Sequence, residues 1–210
     1  MKSRRALLMG LGLGLPGLAV AAATNTGAAP AAPKAAARRA GGVHAARFPT
    51  VAVTDQTGKQ FGNFYDDLVR DKLVLISFAS IDGEKRYPIV DNLVKVQQMV
   101  RDRLGKDLFM YTVNTRPDKD SVADLKAFAD SKGARWQFLT GETAAIDEIK
   151  QSLRVMGNIH GLVWMSNDKS GRILSKPARL QPLYLTEALA FLSTGSQHKQ
   201  FLTDMRSWKS

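Results

Sequence analysis

The chain has 210 residues, no cysteine and a formal net charge of +11. Without a thiol it has no nucleophilic thiolate, no disulfide exchange and no thiolate metal site of its own. The charge suggests nucleic acid, but seven of the 30 Lys and Arg lie in residues 1–47, which hold no carboxylate. The remaining 23 face all 19 carboxylates, a net of +4, with no interleaved aromatic–basic pattern, so no nucleic-acid partner is expected.

Residues 1–23 read as an export signal or an uncleaved membrane anchor. Lys2, Arg4 and Arg5 form the charged start, Ala6 to Val20 the apolar stretch, and Ala19–Ala21 and Ala21–Ala23 offer small-residue cleavage sites. The pair Arg4-Arg5 after Ser3 resembles a twin-arginine signal, although the phenylalanine and lysine usual in that motif are missing. An ordinary Sec signal is the alternative. Residues 24–47, rich in Ala, Pro and Gly and without an aromatic residue or a carboxylate, read as a flexible tether. Together these segments predict a periplasmic or exported protein, soluble or held at a membrane by its N-terminus. The folded domain is expected over 48–210, long enough to bury a core of its own.

Within the domain, Val51–Val53 and Lys59–Phe61 predict a hairpin turning at Asp55–Gly58. Phe64 to Val69 predicts a short helix or turn. The apolar run 72–78 predicts a strand buried on both faces. After a loop over 78–88, Ile89, Leu93, Val96, Val100 and Leu104 recur at helical spacing, with Gly105 as the stop. Asp107–Asn114 predicts a second strand. Ser121 is placed to cap a helix ended by Gly133, and Trp136–Leu139 is a short extended piece. A helix from Thr140 to Gly157 carries Ile146, Ile149 and Leu153. Leu162–Met165 and Arg172–Leu174 flank NDKSG as a hairpin, and Leu185, Leu189 and Leu192 mark a further helix before Gly195. Phe201, Met205 and Trp208 fit one face of a short tail helix. This order predicts an α/β, thioredoxin-like domain, with a central mixed sheet flanked by helices and an N-terminal hairpin.

Four pieces in order carry a resemblance to a known family. They are LISF, a loop and Pro88; VNTRPDKDS at 113–121; WQFLTG at 136–141; and His160, eleven residues before Gly171. The chain thereby resembles the Sco/SenC family, thioredoxin-fold proteins of copper-oxidase assembly, over about residues 49–195. The resemblance implies a C-x-x-x-C-P motif ahead of Pro88, whose cysteines bind copper together with the histidine. Here Gly83 and Tyr87 stand at the two cysteine positions, and Arg116 stands where the family has aspartate.

The scaffold therefore implies a copper chaperone or thiol reductase, while the soft ligands are missing. A thiol-free binding or assembly factor for a respiratory copper enzyme fits best. Its protein partner would be a respiratory-enzyme subunit or another Sco-like protein, met through Gly83, Glu84, Lys85, Arg86 and Tyr87. One alternative is a rebuilt copper or zinc site from His160, Asp82 and Glu84, since imidazole and carboxylates suit Zn²⁺ or Cu²⁺ better than Cu⁺. Another is a Cu⁺ carrier using Met156 and Met165 near His160. No cofactor is expected in the leading reading. An enzyme is not expected either: no acid/base pair, Ser–His–Asp arrangement or phosphate loop is visible.

Overall fold

The computed structural model describes residue 34, residues 41–154 and residues 161–194. The sheet has seven strands: β1 (Val53–Asp55), β2 (Gln60–Phe61), β3 (Leu73–Ala79), β4 (Leu108–Asn114), β5 (Gln137–Thr140), β6 (Leu162–Asn167) and β7 (Arg172–Pro177). Their spatial order is β2-β1-β5-β4-β3-β6-β7. Strands β3, β4 and β5 are parallel, and the hairpins β1–β2 and β6–β7 extend them antiparallel on either side. Among the described residues the α-helices are α1 (Ile81–Arg86), α2 (Ile89–Met99), α3 (Val122–Lys132), α4 (Thr143–Ser152) and α5 (Pro182–Ser193). This is the mixed, helix-flanked sheet with an N-terminal hairpin that the sequence predicts.

All seven residues of β3 are buried, as a central strand of a two-faced sheet requires. Its alternate side chains feed two cores. Leu73 and Leu75 join Leu93, Met165, Leu185 and Leu189 on the side of α2, α3 and α5. Val74, Ile76 and Phe78 join Phe48, Tyr65, Ile146 and Ile149 on the side of α4. Met165, considered above as a copper ligand, is fully buried as filler of the first core. Trp136 is buried in the first core, while Trp164 is half-buried and packs against the second.

Some boundaries differ from expectation for local reasons. Helix α3 follows the sequence: Ser121 and Asp124 form a reciprocal capping box, and Gly133 ends the helix at φ +68. Helix α2 stops at Met99 rather than Leu104. Turn bonds over 100–108, with Gly105 at φ +80, replace its last turn. Phe64–Val69 forms one turn of π-helix, closed by the Arg70 N–H on the Tyr65 carbonyl and capped by Asn63.

The domain reaches further back than Phe48. Asp168, buried in the β6–β7 turn, accepts from the His44 N–H (3.2 Å), the Tyr65 hydroxyl (2.9 and 3.0 Å) and the Asp71 N–H (2.9 Å). Residues 44–48, read from composition as mostly tether, thus pack onto the domain, and His44 lies edge-on to Phe48. Burial lowers the His44 pKa and, with the Asp168 hydrogen bond, raises that of Tyr65 to about 12. Among the described residues no helix is long and apolar enough to cross a membrane. The tail stripe Phe201, Met205 and Trp208 lies outside the described residues.

Candidate functional site

The carboxyl ends of β3 and β4 are where a parallel sheet ordinarily presents its chemistry. Here β3 runs through Ser80 directly into α1, so the expected loop is a helix. Four contacts fix it. The Ser80 hydroxyl accepts from the Gly83 N–H at 3.1 Å. Asp120 accepts from the Ile81 N–H at 3.3 Å. Arg116 donates to Asp82 at 3.3 Å. The fourth is Glu84, the only residue of α1 that is buried.

Glu84 points under the start of α2. Its carboxylate accepts from the N–H groups of Ile89 (3.0 Å), Val90 (2.7 Å) and Asp91 (3.2 Å). These are the first N–H groups of α2, which have no intrahelical acceptor, and Pro88 at the cap position supplies no side-chain bond. An anion is favoured there by the helix dipole as well. Burial pushes the Glu84 carboxyl above its usual range, against the downward pull of the three N–H groups. Glu84 was expected on an exposed loop, as part of a contact surface or as a metal ligand. It is instead the internal clasp between α1 and α2, with both oxygens committed.

The two positions that the resemblance assigns to cysteine sit one helical turn apart, joined by the Tyr87 N–H on the Gly83 carbonyl at 2.9 Å. Gly83 is half-buried, and Tyr87 is 46 % exposed. Lys85 and Arg86 are exposed beside it, and Lys85 reaches Asp82 at 3.3 Å. Asp82 is thus held by two cations, Lys85 and Arg116. Among the described residues no three His, Asp or Glu side chains are grouped to hold a metal ion. Neither glycine nor an exposed phenol offers the soft donor that Cu⁺ prefers, so the described residues do not fit copper. His160 and Met156 lie outside the described residues.

Sequence reasoning missed Ser80, Asp120 and Asp168. Ser80 carried a legible signal, a serine between a strand and a polar stretch, which is a cap position. Asp120 lies in the charged run Arg116–Asp120, yet it is only 8 % exposed. Burial raises its pKa, opposed by the Ile81 N–H.

The fold and this junction define a thioredoxin-like protein whose strand–helix corner carries no thiol. No protein-family model matches the chain, and no curated protein matches it in sequence. Solved structures do. The chain is similar to copper-bound yeast Sco1, at TM-score 0.58 and 16 % identity over 70 % of this chain and 91 % of that one. It is similar to a SCO1/SenC family lipoprotein of Bacillus anthracis, at TM-score 0.54 and 17 % identity over 70 % and 94 %. It is also similar to BsSco, at TM-score 0.55 and 18 % identity over 69 % and 91 %. BsSco is described as a cytochrome c oxidase assembly protein with a disulfide switch. The fold is that of the Sco/SenC proteins.

Proposed function

We propose that this protein is an exported, non-catalytic binding or assembly factor for a respiratory copper enzyme. It would present the outer face of α1 to a protein partner. One observation carries the reading: a Sco-like scaffold is retained while its reactive corner is rebuilt as a clasped helix. Glu84 and Ser80 spend their polar groups on holding that corner still, which serves recognition rather than exchange. Gly83, Lys85, Arg86 and Tyr87 remain as the contact face, and Glu84 acts beneath it by fixing their positions. Thiol–disulfide exchange has no attacking group in this chain.

The test is capture of partners from membranes by the tagged protein, with copper and zinc measured on the same preparation. Wild type is expected to retain a respiratory-enzyme subunit or Sco-like protein without stoichiometric copper. The Lys85→Glu/Arg86→Glu variant is expected to fold normally and lose the partner. Capture unaffected by that charge reversal would remove α1 as the contact face. Tight Cu⁺ binding in competition with a chelator, lost in His160→Ala, would replace this reading with a carrier. For export, Arg4→Lys/Arg5→Lys is expected to block a twin-arginine route, and normal export of that variant would assign the Sec route.

A further inference from the structure

The opposite end of the sheet, where β3, β4 and β5 begin, carries features that a contact face at α1 does not use. A cleft of about 760 Å³ opens there between the end of α2, the start of β4 and the α3–β5 turn. Its size is within the range of small-molecule sites. Half-buried Val94, Leu104 and Phe109 form its apolar wall, over the buried Met110 and Trp136. Arg101, Lys132 and Arg135 supply the charge, and among the described residues no carboxylate lines the cleft.

These cations differ in availability. Lys132 is neutralised by Asp91 at 2.8 Å. Among the described residues the one ion pair of Arg101 is with its neighbour Asp102, at 3.7 Å, with both side chains exposed, a pairing of little strength in water. Arg135 is exposed and has no ion-pair partner among the described residues. On the far side of Phe109 a second hollow adds Lys72, Arg103, Lys106 and Lys169. Of the two carboxylates there, Asp107 is bound to Arg103 at 2.8 Å. A domain whose net charge is small thus gathers positive charge at one pole, and a hollow so lined concentrates anions.

We infer that this cleft binds a monomeric organic acid: a carboxylate, sulfonate or phosphate on a flat apolar body. The body would lie against Val94 and Leu104 with Phe109 at its edge, and the acid group between Arg101 and Arg135. A bare inorganic anion would leave the apolar wall unused, and a neutral apolar molecule would leave the two arginines unpaired. An acid headgroup could also come from a lipid bilayer, so the experiment separates the free molecule from the membrane.

The probe is 8-anilinonaphthalene-1-sulfonate, an aromatic sulfonate whose emission rises in apolar surroundings. It is titrated into the purified protein beside its uncharged analogue, N-phenyl-1-naphthylamine. Saturable binding of one sulfonate, weakened by salt, is expected. Arg101→Glu/Arg135→Glu should weaken it about tenfold, the loss of about 1.4 kcal/mol over two exposed charge contacts. Lys119→Glu, at the other pole, should leave it unchanged. Near-ultraviolet circular dichroism verifies that each variant is folded. Equal binding of the two probes, or sulfonate binding indifferent to the arginine reversal, would overturn the inference. So would attachment to phosphatidylglycerol vesicles without binding of the free sulfonate. None of these outcomes bears on partner capture through α1, so the two readings fail separately.

Discussion

Removing the Glu84 side chain tests the clasp directly. In Glu84→Ala the N–H groups of Val90 and Asp91 lose their acceptor, and Val90 is fully buried, while the Ile89 N–H keeps the Tyr87 carbonyl at 2.8 Å. A buried donor left unsatisfied costs about 1–3 kcal/mol. Water entering beside exposed Pro88 would recover part of this, and relief of the buried charge a further part. A net loss of about 1–3 kcal/mol is expected, at or above the ~1 kcal/mol typical of a lost exposed cap. Glu84→Gln keeps the shape and one acceptor oxygen but turns an amide NH₂ toward N–H donors, so about 1–2 kcal/mol is expected. Urea unfolding measures both variants, and amide exchange at residues 89–91 locates the change. The pH dependence adds a signed test. The folded carboxyl is raised above its ordinary value of 4.5, so the folded state holds its proton longer. As pH climbs from 4.5 through the folded value, wild type should lose stability relative to Glu84→Gln. A loss below about 1 kcal/mol in Glu84→Ala, with exchange at 89–91 unchanged, would refute the clasp.

Asp168→Asn replaces one acceptor oxygen by a donor against Tyr65, His44 and Asp71. Unfolding is expected to show a loss of about 2–3 kcal/mol, with faster amide exchange at residues 44–48. His44 is the acid-sensitive group of the same contact. Its Nε2 is buried without a hydrogen-bond partner among the described residues, and burial holds its pKa below 6.5. The unfolded chain therefore takes up the proton first, and stability should fall as pH drops below 6.5. Unfolding followed at several pH values should show that slope in wild type and a flatter one in His44→Gln.

The sheet was legible because its central strands β3 and β4 are apolar runs of the right length and its hairpin turns carry Gly58 and Gly171 at positive φ. Helix α3 was legible because both of its ends follow general capping chemistry. Helix α1 was not: six residues, IDGEKR, present only Ile81 as an apolar residue, too few to establish a period. Its stability comes from Asp120, Arg116 and the clasp, which are tertiary. Glu84 was misread for the same reason, since a carboxylate is expected at the surface unless something buried needs an anion, and the donors it serves are backbone groups with no side-chain signature. Residues 44–48 were read largely as tether because composition registers too little apolar surface to fold alone. It does not register a distant Asp168 waiting to accept from His44.

The strand order has a consequence for how the protein is made. Strand β3 needs β4 on one side and β6 on the other, with Leu73 opposite Asn167, and the Asp168 contact joins Tyr65 to a residue 103 positions away. A chain emerging from its N-terminus cannot close this sheet until residue 168 is free. Until then β3 offers an unpaired edge along Leu73–Ser77, four of whose five residues are apolar, the kind of edge that recruits other chains. Long-range closure also makes folding slow, on the order of milliseconds to seconds. Chains stopped before β6 are therefore expected to aggregate rather than form a smaller domain, and a chaperone would be needed most during the synthesis of residues 80–167.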